Sequence, residues 1–107
     1  MTQTTLIVAR MDPVNAPEVG GLFAQSDATE LPHLIGVQRR QLLTFHDLYF
    51  HLIEADGNVA PRVREYRDHP GFRELNADLA KFVLPYHPSW REPKDAIAKP
   101  FYHWQST

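Results

Sequence analysis

The chain has 107 residues, 43% hydrophobic and 22% charged, with a net charge of −2 and a pI near 6.3. That describes one globular domain over residues 1–107, with a single core and little tendency to disorder. No lysine- or arginine-dense face stands out, so neither nucleic acid nor an anionic membrane surface is an expected partner. Cysteine is absent, which excludes disulfides and thiolate-bound metals, and the longest N-terminal apolar run, Leu6–Ala9, is too short for an export signal or a membrane span, so the cytoplasm is the expected compartment.

Thr4–Met11 (TTLIVARM) is β-branched and apolar and reads as a first strand. Asp12-Pro13 ends it and suits a helix start, because Asp12 can accept from first-turn amides and proline tolerates the first helical position. The helix runs to about Ala28 with Val19, Leu22 and Phe23 on one side. Gly20 and Gly21 each weaken it by about 1 kcal/mol relative to alanine, which points to close packing or a ligand passing nearby. Leu31-Pro32 ends the segment, since a residue before proline avoids the α region, and His33 follows in an extended stretch.

Gly36–Asp56 reads as a hairpin. Leu48, Phe50 and Leu52 alternate with Tyr49, His51 and Ile53 at the period of two of a half-buried strand. A two-residue turn at His46-Asp47 sets Leu42 opposite His51, Leu43 opposite Phe50 and Arg39 opposite Glu54. One face then carries Arg40, Leu42, Tyr49 and His51, the other Arg39, Leu43, Phe50 and Glu54. A short helix over Val59–Arg67 follows. After His69-Pro70-Gly71 comes the clearest helix, with Phe72, Leu75, Leu79, Phe82 and Val83 at steps of three, four, three and one. Leu84–Asp95, with Pro85, Pro88, Trp90 and Pro93, reads as an irregular packed loop. Ile97–Trp104 restores alternation as a last strand, at an edge because Pro100 cannot donate to a ladder. The order is the βαββαβ of the ferredoxin-like α+β sandwich: a four-stranded antiparallel sheet with helices on one face. Its bare second face is expected to pair with another copy, through Leu43, Phe50 and the aromatic tail Phe101–Trp104.

His51 and Arg40 share a face among apolar neighbours. The bland readings are a half-buried histidine bonded to a neighbour, and an arginine paired with a helix-layer carboxylate such as Asp27. The functional reading is a base beside a fixed positive charge, suited to removing a proton next to a carbonyl while the cation holds the enolate oxygen. From spacing alone, Ser26-Asp27 and Thr29–His33 read better as a helix-end polar cluster than as catalytic groups. The six histidines are too scattered for a metal site, and no phosphate loop is present.

The runs VARMDP (Val8–Pro13), SDATELPHLIGVQRR (Ser26–Arg40), FHDLYFHLIEAD (Phe45–Asp56), HPGF (His69–Phe72) and KPFYHW (Lys99–Trp104) resemble the small type II polyketide cyclases of the tetracenomycin and spore-pigment kind, in order and over nearly the whole chain. The resemblance implies a dimeric α+β barrel. It also implies a cofactor-free enzyme that closes a later ring of an aromatic polyketide from a type II synthase by intramolecular aldol condensation and dehydration. It implies Asp27, Arg40 and His51 as acting residues, with Ser26 standing where some members have a histidine whose role would then be missing here or moved to His33. Tyr49, Leu42, Phe23 and Trp90 are the expected lining. Two other readings share the fold: a cofactor-independent monooxygenase of an anthrone-like ring, and a non-catalytic subunit docked on the synthase.

Overall fold

The structure is a computed structural model that describes residues 2–91 and 93–106. Strand β1 (Gln3–Arg10) leads through a 3-10 turn (Pro13–Asn15) into helix α1 (Ala16–Asp27) and the short helix α2 (Leu31–Ile35). Strands β2 (Val37–Phe45) and β3 (Leu48–Ala55) follow, then helices α3 (Val59–Glu65) and α4 (Pro70–Leu79) and a second 3-10 turn (Pro93–Ala96). The sheet is antiparallel with strand order β1-β3-β2.

Local chemistry accounts for most of these boundaries. The Asp12 carboxylate accepts from the Val14 amide and opens the 3-10 turn that feeds α1. Asn58 caps α3 through the Ala60 amide, and the His69 ring caps α4 through the Gly71 amide, each satisfying a first-turn donor that has no intrahelical acceptor. Between β2 and β3 the chain reverses at His46-Asp47, with His46 at φ 55. Leu42 pairs with His51, Leu43 with Phe50 and Arg39 with Glu54, as the two-residue turn requires. The ladder shifts only between Val37 and Arg39.

Two expectations are corrected. Leu31–Ile35 is helical, with Pro32 in its first turn, where the missing N–H is no loss. Hence His33 lies on a helix and not in an extended segment. The fourth strand is reduced to isolated bridges on the free edge of β1: Ile7 with Ile97, and Arg10 with Leu84. Ala98 donates to the Leu6 carbonyl at 2.8 Å; beyond it Pro100 has no N–H to continue a ladder, and Phe101 is fully exposed.

The helices cover one sheet face, where Ala9, Tyr49, Ile53 and Ala55 are buried. One apolar cluster joins Ala9, Met11, Val19, Phe23 and Tyr49, backed by Leu42, Leu75 and Leu79. A second joins Leu31, Ile35, Ile53, Ala55 and Val59, backed by Ile7, Val63 and Phe72. Each of the larger aliphatic and phenyl side chains among them, fully buried, is worth about 1.5–3 kcal/mol. Gly36 ends α2 at φ 87, a left-handed conformation that costs glycine nothing. A side chain there would also collide with the guanidinium of Arg62, which donates to the Ile35 carbonyl at 3.2 Å and pairs with Asp56. That knot sets α2, the end of β3 and α3 against one another. His51 lies on β3 between Tyr49 and Ile53, at the seam of the two clusters.

Candidate active site

His51 is the one polar residue buried with the core among the described residues, at 6% exposure. It is there because β3 is the central strand and the pleat sends every second side chain under the helices. Arg40 projects from β2 on the same face and α1 brings Asp27 from above. Arg40 Nε donates to Asp27 Oδ2 at 3.1 Å and Nη2 to Oδ1 at 2.9 Å. Its remaining nitrogen, Nη1, lies 2.9 Å from His51 Nε2. The guanidinium carbon sits 4.8 Å from the centre of the Phe23 ring, and that ring meets the imidazole edge-on at 5.0 Å.

These contacts settle the protonation of the imidazole. A guanidinium can donate but not accept, so Nε2 receives the bond and the ring proton is on Nδ1. Burial, reinforced by the Arg40 charge, holds the His51 pKa down to about 3, because both disfavour a cation. The ring is therefore neutral at neutral pH. Burial pushes the Tyr49 phenol up, with the Arg40 charge opposing it, so Tyr49 is a protonated hydrogen-bond donor.

Leu42, directly across the ladder from His51, and Tyr49, with its ring 6.3 Å from the imidazole, flank this group. They also line a cleft of about 210 Å³ between α1 and β2, together with Met11, Val19, Gly20 and Thr44; Arg40 and His51 themselves are not part of its lining. Thr44 was missed in the sequence, although the alternation Arg40, Leu42, Thr44 puts it on this face.

Asp27, Arg40, His51, Phe23, Leu42 and Tyr49 are thus brought together, and three other expected residues are not part of their contacts. Ser26 is half-buried beside Asp27, and its carbonyl accepts from Thr29. His33 is exposed on α2 and makes none of the hydrogen bonds of the group. Trp90 stacks near Tyr86 at 6.0 Å and lines a separate cleft with Val8, Ile97 and Ala98. Val8 pairs with Phe50 while its neighbour Ile7 pairs with His51, so that cleft borders the opposite side of the sheet. The proline-rich loop returns along the outer edge of β1, which keeps Trp90 from lining the buried group. Asp27 bonds Arg40, the helix-layer carboxylate pairing that the sequence offered for that arginine.

A buried neutral imidazole is thus held by a clamped guanidinium under the helix layer of an α+β sandwich. Residues 3–105 match the model of the polyketide synthesis cyclase family, and the chain belongs to that family. It is 48% identical over 104 residues to tetracenomycin F2 cyclase of Streptomyces glaucescens, covering 97% of this chain and 95% of that one. It is 45% identical over 101 residues to polyketide synthase CurG of Streptomyces cyaneus, covering 94% of each. Against the solved structure of the S. glaucescens cyclase the TM-score is 0.92 at 47% identity, over 98% of this chain and 99% of the other. A proposed antibiotic biosynthesis monooxygenase of Nitrosomonas europaea, 7% identical, superposes with a TM-score of 0.55 over 77% of this chain and 79% of that one, and shares the ferredoxin-like fold alone. The protein is accordingly a type II polyketide cyclase.

Proposed function

We propose that this enzyme closes a later ring of a partly cyclised aromatic polyketide by cofactor-free aldol condensation and dehydration. The observation that carries this reading is the relay Asp27–Arg40–His51: a fixed cation whose third nitrogen is held against a neutral, buried imidazole. A methylene between two carbonyls is already acidic, so the demands are a positioned oxygen site, a proton acceptor and a single folded shape of the chain.

The bound ketone oxygen takes the place of His51 Nε2 at Arg40 Nη1. The freed Nε2 accepts the α-proton, and the enolate charge that develops is stabilised by the guanidinium. That charge also offsets the cationic field that depresses the imidazole, which strengthens the base as the step proceeds. The enolate carbon attacks the second ketone, and the imidazolium returns its proton to the new alkoxide. Loss of a further α-proton and of hydroxide, together one water, completes the aromatic ring. Asp27 keeps the guanidinium plane fixed throughout. Phe23, Leu42 and Tyr49 exclude water from the reacting carbons.

The working unit in this reading is a cytoplasmic homodimer with the domain spanning 1–107. Leu43, Phe45 and the aromatic tail are exposed, and a second copy covers them. Contact with the synthase is not required for turnover. Feeding the early intermediate to purified protein and weighing the product tests the proposal. Loss of one water without synthase supports it; gain of an oxygen atom, with oxygen uptake, replaces it with oxidation; no change without synthase replaces it with a docked subunit.

A further inference from the structure

Gly20 and Gly21 fall in the middle of α1, where glycine costs a helix more than alanine does because its backbone loses more freedom. The pair calls for close packing or for a ligand. The first explanation fails within this chain, since a Cβ built on either residue meets nothing within 4 Å. The two positions are nevertheless different. Gly21 is exposed, whereas Gly20 is half-buried and lines the same cleft as Leu42 and Tyr49. At about 210 Å³ the cleft exceeds the roughly 150 Å³ cavity that holds a benzene ring, and it has room for fused rings. Its walls are apolar apart from Thr44 and the Tyr49 hydroxyl. Among the described residues that hydroxyl makes no hydrogen bond, and it is not sealed from solvent although Tyr49 is only 4% exposed, so it is free to donate to a ligand oxygen.

We propose that Gly20 is a specificity-determining position: its missing side chain lets the flat, already cyclised rings of the substrate lie against α1, with a ring oxygen at the Tyr49 hydroxyl and the open ketone end at Arg40 and His51. This inference rests on the cyclase reading and gives the substrate its orientation within that site. Leu42 belongs to both regions, since it lines the cleft and faces His51 across the ladder. A methyl group at position 20 would occupy the space the rings need.

The test uses 2-naphthol, a bicyclic phenol with no chain to cyclise, titrated calorimetrically into the wild-type protein and the variants Gly20→Ala, Gly20→Leu and Gly21→Ala. The expected result is that Gly20→Ala weakens binding about tenfold, that Gly20→Leu abolishes it, and that Gly21→Ala leaves it unchanged. Both alanine variants should raise Tm, because the helix gains and nothing is crowded. Equal naphthol affinity in wild type and Gly20→Ala would overturn the proposal, as would no binding by the wild type or a lowered Tm for Gly20→Ala. Naphthol binding that depends on Gly20 in a protein that never releases water from a polyketide would support the aromatic cleft and sink the cyclase reading instead.

Discussion

Asp27 grips two nitrogens of Arg40, at 3.1 and 2.9 Å, and thereby fixes the plane in which the third nitrogen reaches His51. The carboxylate acts on the imidazole only through the guanidinium. With the Arg40 side chain 15% exposed and Asp27 39% exposed, the solvent-facing end of the relay is the carboxylate, and the desolvated end is the ring. That gradient places the fixed positive charge where a developing enolate would be shielded from water.

In the proposed mechanism Asp27 is a positioning residue, and its loss should be non-additive with the loss of Arg40. Asp27→Asn is expected to lower kcat/KM by about 10²-fold, the scale of a misplaced catalytic group. In an Arg40→Lys background the same change should have almost no further effect. Steady-state kinetics of the two single variants and the double variant checks this; independent, multiplicative losses would contradict the relay.

Arg40→Lys keeps the charge but not the fork. One ammonium cannot hold the carboxylate in two bonds and reach the imidazole as well. Turnover should fall by about 10²-fold or more, the scale of losing one preorganised oxyanion donor, with an unchanged circular dichroism spectrum. Retention of most of the activity would mean that charge alone suffices.

The lowered pKa of His51 makes stability pH-dependent in a defined direction. The unfolded histidine takes up its proton near pH 6.5, the folded one only near 3. As pH falls through that window the unfolded state binds more protons, so stability is full above pH 6.5 and drains as the pH drops toward 3. The loss is at most about 1.4 kcal/mol per pH unit. Urea unfolding at pH 7 and pH 4.5 should show a steeper loss for the wild type than for His51→Gln. In the same way, kcat/KM should show no inflection near 6.5 from this residue, because in the free enzyme it is neutral on both sides.

His51→Ala should abolish most turnover while the sheet and helices persist, since the neighbouring core residues Tyr49 and Ile53 keep their partners in the two apolar clusters. Mass analysis of the product and the far-ultraviolet dichroism together decide it. An undiminished rate with an unchanged product pattern would remove the imidazole from the chemistry.

Charge on the exposed sheet face should break the proposed homodimer. Leu43 and Phe45 are 44% and 62% exposed, and Leu43→Glu with Phe45→Glu would bury two carboxylates in any pairing of that face. Light scattering should report a dimer for the wild type and a monomer for the double variant. A wild-type monomer at every concentration would end the proposal.

The hairpin was legible because its information is local. A two-residue turn and strict alternation leave no choice about which of Leu42, Leu43 and Arg39 face His51, Phe50 and Glu54, and one slipped residue would have reversed every side chain. The caps at Asp12, Asn58 and His69 depend only on the few residues around them. Leu31–Ile35 was misread because proline's lost N–H bond and its clash with the carbonyl four residues back arise in a helix interior, and Pro32 sits in a first turn where neither applies. The Ile97–Trp104 alternation promised a ladder that Pro100 and the loop route along β1 do not deliver.

From the linear chain alone followed the class of fold, the shared face of Arg40 and His51, and the family likeness, since periodicity, turn chemistry and ordered motifs are properties of neighbouring residues. Only the seating of α1 on the sheet decided that Asp27 meets the guanidinium and not the imidazole and that Gly20 borders open space, and only the route of the loop along β1 decided that Trp90 lies elsewhere. Those outcomes depend on how two layers pack, and the direction a side chain takes across such a contact is set by the shapes of both surfaces at once.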